Sequence, residues 1–167
     1  MNFGIDIESP RYQITSQPAI KKSKSLSVGS ELLSQLCKCK QCPLLIVDDI
    51  TFNSQSLKLL IKQYYNVNID IAIDGQEALQ KFKSNLEAWS RTNCSSCHNS
   101  RYKLIFMDLQ MPVMDGFQSS KEILEYQKTY PGPDCKIVAL TAFANPSNIQ
   151  KCQSAGMIDT LNKPAKL

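Results

Sequence analysis

Short apolar runs, each ending in a polar residue, are the feature that most constrains the fold of this chain. Residues 44–47 (Leu-Leu-Ile-Val) lead directly into Asp48 and Asp49, and residues 104–107 (Leu-Ile-Phe-Met) lead into Asp108. Runs of this length and content predict strands that are buried on both faces, as the central strands of a parallel sheet are. Each such strand is expected to bring a polar side chain to one edge of the sheet.

Segments with helical periodicity separate these runs. Apolar residues recur at helical spacing from 53 to 65, and Asn53 and Ser54 are expected to cap that helix. The more polar run at 67–73 predicts an edge strand. Further helices are predicted after Gly75 and at 119–126 and 149–155, and further strands at 136–140 and 158–161. This alternation predicts an α/β fold, a doubly wound parallel sheet with helices on both faces.

The predicted strand ends carry polar residues that suit one kind of chemistry. They are Asp48, Asp49, Asp108, Thr141 and Lys163. Each residue alone has an ordinary structural interpretation as a turn, a helix cap or a surface charge. Together, crowded carboxylates call for a cation, and hard oxygen ligands favour Mg²⁺. A metal and a lysine can neutralise phosphoryl oxygens while a carboxylate attacks phosphorus, so the set indicates phosphoryl transfer.

Five separated motifs resemble the receiver domain of two-component response regulators and of eukaryotic hybrid histidine kinases. They are LIVDD at 45–49, DGQEAL at 74–79, LIFMDLQMPVMDG at 104–116, IVALTA at 137–142 and LNKP at 161–164. The resemblance implies a flavodoxin-like five-stranded sheet in the order 2-1-3-4-5. The resemblance covers about residues 44–164, and a receiver domain is expected at 37–167; the polar, aperiodic start of the chain indicates a flexible tail or linker at 1–36.

The resemblance also implies a role for each acid. Asp108 is expected to accept a phosphoryl group from a phosphohistidine on a histidine kinase or a histidine phosphotransfer protein. Asp49, Asp108 and the backbone carbonyl of Gln110 are expected to bind Mg²⁺, with Asp48 acting through a water molecule. The domain would then be a phosphoacceptor in a phosphorelay, which assists its own phosphorylation and dephosphorylation, rather than an enzyme with turnover.

The same resemblance assigns the phosphoryl contacts and the switch. Lys163, Thr141 and Ala142 are expected to contact the phosphoryl group, and movement of the Thr141 hydroxyl would shift a two-state equilibrium of nearby loops. The family's aromatic switch residue stands three positions before the lysine, where this chain has Thr160. The Lys163–Pro164 peptide is expected to be cis.

Two other functions stay open at this point. A magnesium-dependent phosphatase with an aspartyl nucleophile would carry two acids separated by one residue after the first strand, whereas Asp48 and Asp49 are adjacent. A pseudo-receiver would be an interaction module that is not phosphorylated. The intact set of site residues argues against it, and Thr160 argues for it. The chain has no glycine-rich nucleotide motif and no histidine in a kinase-like helix, so no kinase core is expected in it.

Two departures from the family pattern affect the domain boundaries. The family's last helix is missing, which suggests a truncated chain or a fragment of a hybrid histidine kinase. An insertion at about 87–101 precedes the third strand. Its cysteines and histidine, with others before the first strand, are thiolate-rich enough for a structural Zn²⁺ site. The candidate zinc ligands are Cys37, Cys39, Cys42, Cys94, Cys97 and His98.

Composition sets broad limits on the class of protein. The chain has 167 residues, of which 43% are hydrophobic and 20% charged, as in a soluble globular domain. Its net charge of +4 is modest and gives no indication of nucleic-acid binding. No stretch approaches the roughly 18 apolar residues of a membrane span, and a cytoplasmic location is expected. The seven cysteines are then expected to be thiols or metal ligands.

Overall fold

The computed structural model describes residues 43–91, 101–132, 134–142 and 145–164. These residues form one parallel sheet of five strands in the order β2-β1-β3-β4-β5, which confirms the predicted topology. The strands are β1 (Pro43–Val47), β2 (Asn68–Ala72), β3 (Leu104–Asp108), β4 (Lys136–Thr141) and β5 (Asp159–Asn162). The helices are α1 (Thr51–Tyr64), α2 (Gly75–Arg91), α3 (Gly116–Gln127) and α4 (Pro146–Ser154).

The two faces of the sheet have separate hydrophobic cores. Side chains of a strand alternate between the faces, so a strand buried on both faces must be apolar throughout. The first core joins Leu45 and Ile105 with residues of α2, α3 and α4. The second joins Leu44 and Phe106 with residues of α1. Among the described residues, α1 is the one helix that contributes to this second core, and a cleft of about 270 Å³ lies beside it.

The register of the central strands places the functional ends together. Val47 pairs with Met107, so the next residues, Asp48 and Asp108, lie at the same level of the sheet. Asp48 directly follows β1, and Asp108 is the last residue of β3. Asp108 pairs with Leu140, which precedes Thr141. The carboxyl-terminal ends of β1, β3 and β4 therefore form one edge of the sheet, as parallel strands require.

The segment before β3 differs from the sequence-based expectation. Residues 87–91 belong to α2, so the helix extends into the region that was assigned to a polar insertion. Trp89 packs against the first core, and Arg101 is buried at 3% exposure. Residues 1–42 and 92–100 lie outside the described part of the chain, so the tail and the rest of the insertion remain predictions. In the described ranges, no helix combines the length and the apolar content that crossing a bilayer needs.

Candidate functional site

Two aspartates and one lysine form the centre of the site. The Nζ atom of Lys163 lies 2.7 Å from Oδ2 of Asp48 and 2.7 Å from Oδ2 of Asp108. The Asp48 side chain is fully buried, and the Lys163 side chain is 20% exposed. The backbone N–H of Lys163 donates to the carbonyl of Thr141, which fixes the chain after β5 against the end of β4. One cation therefore bridges acids from two neighbouring strands.

The carboxylate of Asp48 is held from both sides. Its Oδ1 accepts hydrogen bonds from the backbone N–H of Ile50 at 3.0 Å and from Nδ2 of Asn53 at 3.1 Å. The expectation that Asn53 and Ser54 cap the first helix was wrong. The N-cap is Ile50, without a side-chain cap, and the Ser54 hydroxyl donates to the carbonyl of Thr51. The turn after β1 instead uses the Asp48 side chain as its acceptor.

The loop after Asp108 is folded tightly beneath that residue. The backbone N–H of Gln110 donates to Oδ1 of Asp108 at 3.3 Å, and the N–H of Gly116 donates to the carbonyl of Leu109. A Cβ atom on Gly116 would run into the carbonyl of Asp108, so only glycine fits there. Asp115 then caps α3 by accepting from the N–H of Gln118 at 2.8 Å. This packing explains the glycine of the Met-Asp-Gly motif.

The acidic side chains fit a divalent cation. Asp48, Asp49 and Asp108 each offer a carboxylate oxygen, and these oxygens lie within 4.8 Å of one another. Asp49 is exposed, whereas the other two acids are buried. In the described part of the chain, Lys163 contacts two of these three acids, so the site carries an excess of negative charge that a hard cation would neutralise. All six candidate zinc ligands lie outside the described residues, and the zinc site remains a prediction.

Electrostatics of the site follow from burial and from this ion pair. Burial raises the pKa of Asp108 above its ordinary value, the Lys163 contacts oppose that rise, and the negative charge of Asp48 adds to it. Burial alone would lower the pKa of Lys163, but its contacts with Asp108 and Asp48 outweigh burial and raise it. Lys163 is therefore held in its charged form.

The residues assigned to the phosphoryl contact and the switch lie in two places. Thr141 ends β4 and is buried, and Ala142 follows it in an exposed position. Thr160 is half-buried in β5, where it lines a cavity of about 70 Å³ with residues that include Ile149 and Cys152 of α4. The Lys163–Pro164 peptide is cis, as expected. The sheet therefore brings Thr141 and Ala142 to the site edge, while Thr160 faces α4.

Sequence patterns did not indicate two features of the site. One is the contact of Asn53 with Asp48, five residues apart in sequence. The other is the cleft beside α1, where Phe52 lies with Asp48 and Lys163 and is 79% exposed. The sequence signal for the cleft is Phe52 itself, an aromatic residue within the otherwise polar first turn of α1.

Comparisons with known proteins agree with this geometry. The family model of the response regulator receiver domain matches residues 44–167. The osmosensing histidine protein kinase SLN1 of Saccharomyces cerevisiae is 40% identical over 123 residues, which cover 74% of this chain and 9% of that kinase. The chain thus spans a small part of the length of this relative.

Solved structures extend the agreement to the fold. The receiver domain of the histidine kinase CKI1 from Arabidopsis thaliana, complexed with Mg²⁺ and BeF₃⁻, has a TM-score of 0.66 at 26% identity, covering 73% of this chain and 80% of that chain. A co-crystal structure of the Saccharomyces cerevisiae histidine phosphotransfer protein Ypd1 with the receiver domain of Ssk1 gives a TM-score of 0.59 at 28% identity, covering 76% of this chain and 81% of that chain. The chain therefore belongs to the response regulator receiver domain family.

Proposed function

We propose that Asp108 accepts a phosphoryl group from a phosphohistidine and thereby passes a phosphorelay signal. The observation that carries this proposal is the position of Lys163, whose Nζ is 2.7 Å from Asp108 and 2.7 Å from Asp48. A cation at that point is close to where the oxygens of a phosphoryl group on Asp108 would lie. Because its contacts with the two acids outweigh burial and keep Lys163 charged, it can stabilise the negative charge of the transferred group.

The transfer itself needs little from the protein beyond positioning and charge. A carboxylate oxygen of Asp108 forms the new P–O bond while the P–N bond of the phosphohistidine breaks. The electron pair of the broken bond stays with the imidazole nitrogen. The hydrogen bond from the Gln110 N–H to Oδ1 of Asp108, together with the Lys163 contact on Oδ2, holds the attacking group in one orientation.

The acids of the site would bind Mg²⁺ in two ways, directly and through water. The positive charge of Mg²⁺ would neutralise the phosphoryl oxygens. We assign the direct contacts to Asp49, Asp108 and the backbone carbonyl of Gln110, and a water-mediated contact to Asp48. The burial of Asp48 supports this division, since its Oδ1 already accepts two hydrogen bonds and its Oδ2 contacts Lys163. Exposed Asp49 has room to bind a hydrated cation directly.

The switch is proposed to start at Thr141 and Ala142, which follow the strand next to Asp108. The Thr141 hydroxyl would move to hydrogen-bond the phosphoryl group, and the loop after β4 would move with it. The half-buried Thr160 stands at the position of the family's aromatic residue. The output from β5 would therefore depend on packing of Thr160 against α4 rather than on rotation of a ring.

The partner is proposed to be a histidine phosphotransfer protein or a histidine kinase that docks over the site edge. Apolar side chains surround this edge in exposed positions: Ile50 is 54% exposed, Phe52 79% and Val113 82%. A donor protein must place its phosphohistidine against Asp108, so its surface must cover the same residues. Apolar side chains at the rim of a polar site suit such a contact.

Incubation with acetyl phosphate and Mg²⁺, followed by intact mass measurement, tests the proposed function. The parent protein should gain one phosphoryl group, and Asp108→Asn should gain none. Asp115→Asn is the matched control, because it makes the same change in the same loop and asparagine also caps helices well. It should be phosphorylated like the parent. A parent protein that gains no mass, or an Asp108→Asn variant that still gains it, would contradict the proposal.

A further inference from the structure

We propose that Asn53 is a positioning residue that orients the Asp48 carboxylate for cation binding. Its Nδ2 atom donates to Oδ1 of Asp48 at 3.1 Å, across the turn between β1 and α1. The inference rests on the proposed function, because it concerns the same acid site. It adds a neutral residue from the first turn of α1 to a site that otherwise consists of groups at strand ends and in loops.

The contacts of Asp48 leave its carboxylate one orientation. Oδ1 receives the N–H of Ile50 at 3.0 Å as well as the Asn53 amide, while Oδ2 faces Lys163 Nζ at 2.7 Å. The Ile50 N–H is part of the turn and lies close to Asp48 in sequence. Asn53 supplies a second donor from the helix itself, and two donors on one oxygen resist rotation of the carboxylate better than one.

This orientation determines how Asp48 and Lys163 share the site. With Oδ1 engaged by hydrogen-bond donors, Asp48 contributes negative charge without offering that oxygen directly to a cation. With Oδ2 on Lys163, the ammonium group stays between Asp48 and Asp108. Partners that orient the groups around a metal site typically influence metal affinity by about tenfold or more. Asn53 is therefore expected to affect Mg²⁺ affinity without contacting Mg²⁺.

A purely structural role for Asn53 makes a different prediction. Asn53 lies inside the first turn of α1, and the N-cap of that helix is Ile50. Asparagine is a poorer helix former than alanine or leucine. If the Asn53 side chain had no function beyond the helix, its replacement by either residue would leave Mg²⁺ binding unchanged and would maintain or raise the melting temperature.

Calorimetric titration with Mg²⁺ alone, without a phosphodonor, separates these roles. Asn53→Ala and Asn53→Leu both remove the donor, and leucine also keeps the branched arrangement of heavy atoms that asparagine has. Both variants should bind Mg²⁺ about tenfold more weakly than the parent. Gln55→Ala is the matched control, because Gln55 is exposed on the same helix, and its Mg²⁺ affinity should equal that of the parent.

Phosphorylation by acetyl phosphate provides the second readout. In both Asn53 variants, the Mg²⁺ concentration for half-maximal rate should rise about tenfold, and the rate at saturating Mg²⁺ should stay within about twofold of the parent. Folded variants that bind Mg²⁺ within twofold of the parent would overturn the inference while leaving the proposed function intact. A parent that binds Mg²⁺ but is not phosphorylated would overturn the proposed function, and the titration would still decide the role of Asn53.

Discussion

The two edges of the sheet treat buried polar groups in different ways. At the site edge, where the strands end, Asp48 and Asp108 share Lys163, and Asp49 adds a further negative charge. At the opposite edge, before β3, the guanidinium of Arg101 lies 4.5 Å from the ring centroid of Trp89 and donates to the carbonyl of Pro131 at 2.8 Å. The site edge therefore has an excess of negative charge. At the opposite edge, the charge of Arg101 is stabilised by the ring of Trp89 and the carbonyl of Pro131.

Tyr102 follows the same principle at the opposite edge. Its hydroxyl donates to Oδ2 of Asp70 at 2.5 Å, its backbone N–H donates to Oδ1 of Asn85 at 3.0 Å, and its ring stacks on Phe82. These contacts tie the chain that enters β3 to β2 and α2. One sheet can therefore separate a reactive edge, whose excess negative charge suits a bound cation, from a structural edge, where Arg101 and Tyr102 have partners within the protein.

Replacement of Lys163 should have the largest effect on function. Lys163→Ala removes the cation that, among the described residues, contacts both acids, so the rate of phosphorylation by acetyl phosphate should fall by about 100-fold. Lys136→Ala is the matched control, since Lys136 is exposed at the start of β4, on the opposite edge. Intact mass measured over time gives both rates. Equal phosphorylation rates in the two variants would contradict the assignment of the phosphoryl chemistry to the site edge.

Replacement of Arg101 should have the largest effect on stability. Arg101→Ala loses the stacking on Trp89 and the hydrogen bond to Pro131, which should lower the free energy of unfolding by about 2 kcal/mol. Arg91→Ala changes the same residue type where the side chain is 80% exposed, and should cost less than about 0.5 kcal/mol. Urea unfolding measures both values. An Arg101→Ala variant as stable as Arg91→Ala would show that the opposite edge is not a structural tie.

Removal of the Tyr102 hydroxyl should have a smaller effect that depends on pH. Tyr102→Phe keeps the ring against Phe82 and should lower the free energy of unfolding by about 1 kcal/mol near neutral pH. Burial, together with the hydrogen bond to Asp70, raises the pKa of Tyr102 in the folded protein. The unfolded chain therefore loses this proton first, and the parent loses stability as the pH rises above about 10.

The difference between the parent and Tyr102→Phe should consequently shrink above about pH 10. Urea unfolding of both proteins near neutral pH and at alkaline pH checks this sign. Tyr64→Phe is the control, since Tyr64 is 64% exposed and its replacement should leave the stability near neutral pH unchanged. A difference that grows with pH would contradict the assignment of a buried, protonated Tyr102.

The fold and the main acids could be predicted because both depend on local patterns. A strand that is buried on both faces has to be apolar throughout, so the apolar runs of the sequence predict β1 and β3. Once those strands are parallel and adjacent, Asp48 and Asp108 must meet at one edge. The 2-1-3-4-5 order and the cis peptide before Pro164 came from the family resemblance rather than from the pattern.

Features that depend on contacts between distant residues could not be predicted. The polar end of α2 was predicted to be part of an insertion. It is helical because Trp89 packs against the core and against Arg101, a contact between distant residues that the local sequence does not show. Asn53 looked like a helix cap, because its sequence position suits that role equally well. Only the turn after β1 shows that its amide bonds to Asp48 instead.

The most direct test of the central claim is to locate the phosphoryl group on the chain. The protein is phosphorylated with acetyl phosphate and Mg²⁺, treated with borohydride, which reduces an aspartyl phosphate to homoserine, and then sequenced by tandem mass spectrometry. Homoserine is expected at position 108, with Asp48, Asp49 and Asp115 unchanged. Homoserine at any of those three positions instead, or no homoserine in the folded parent protein, would contradict the central claim.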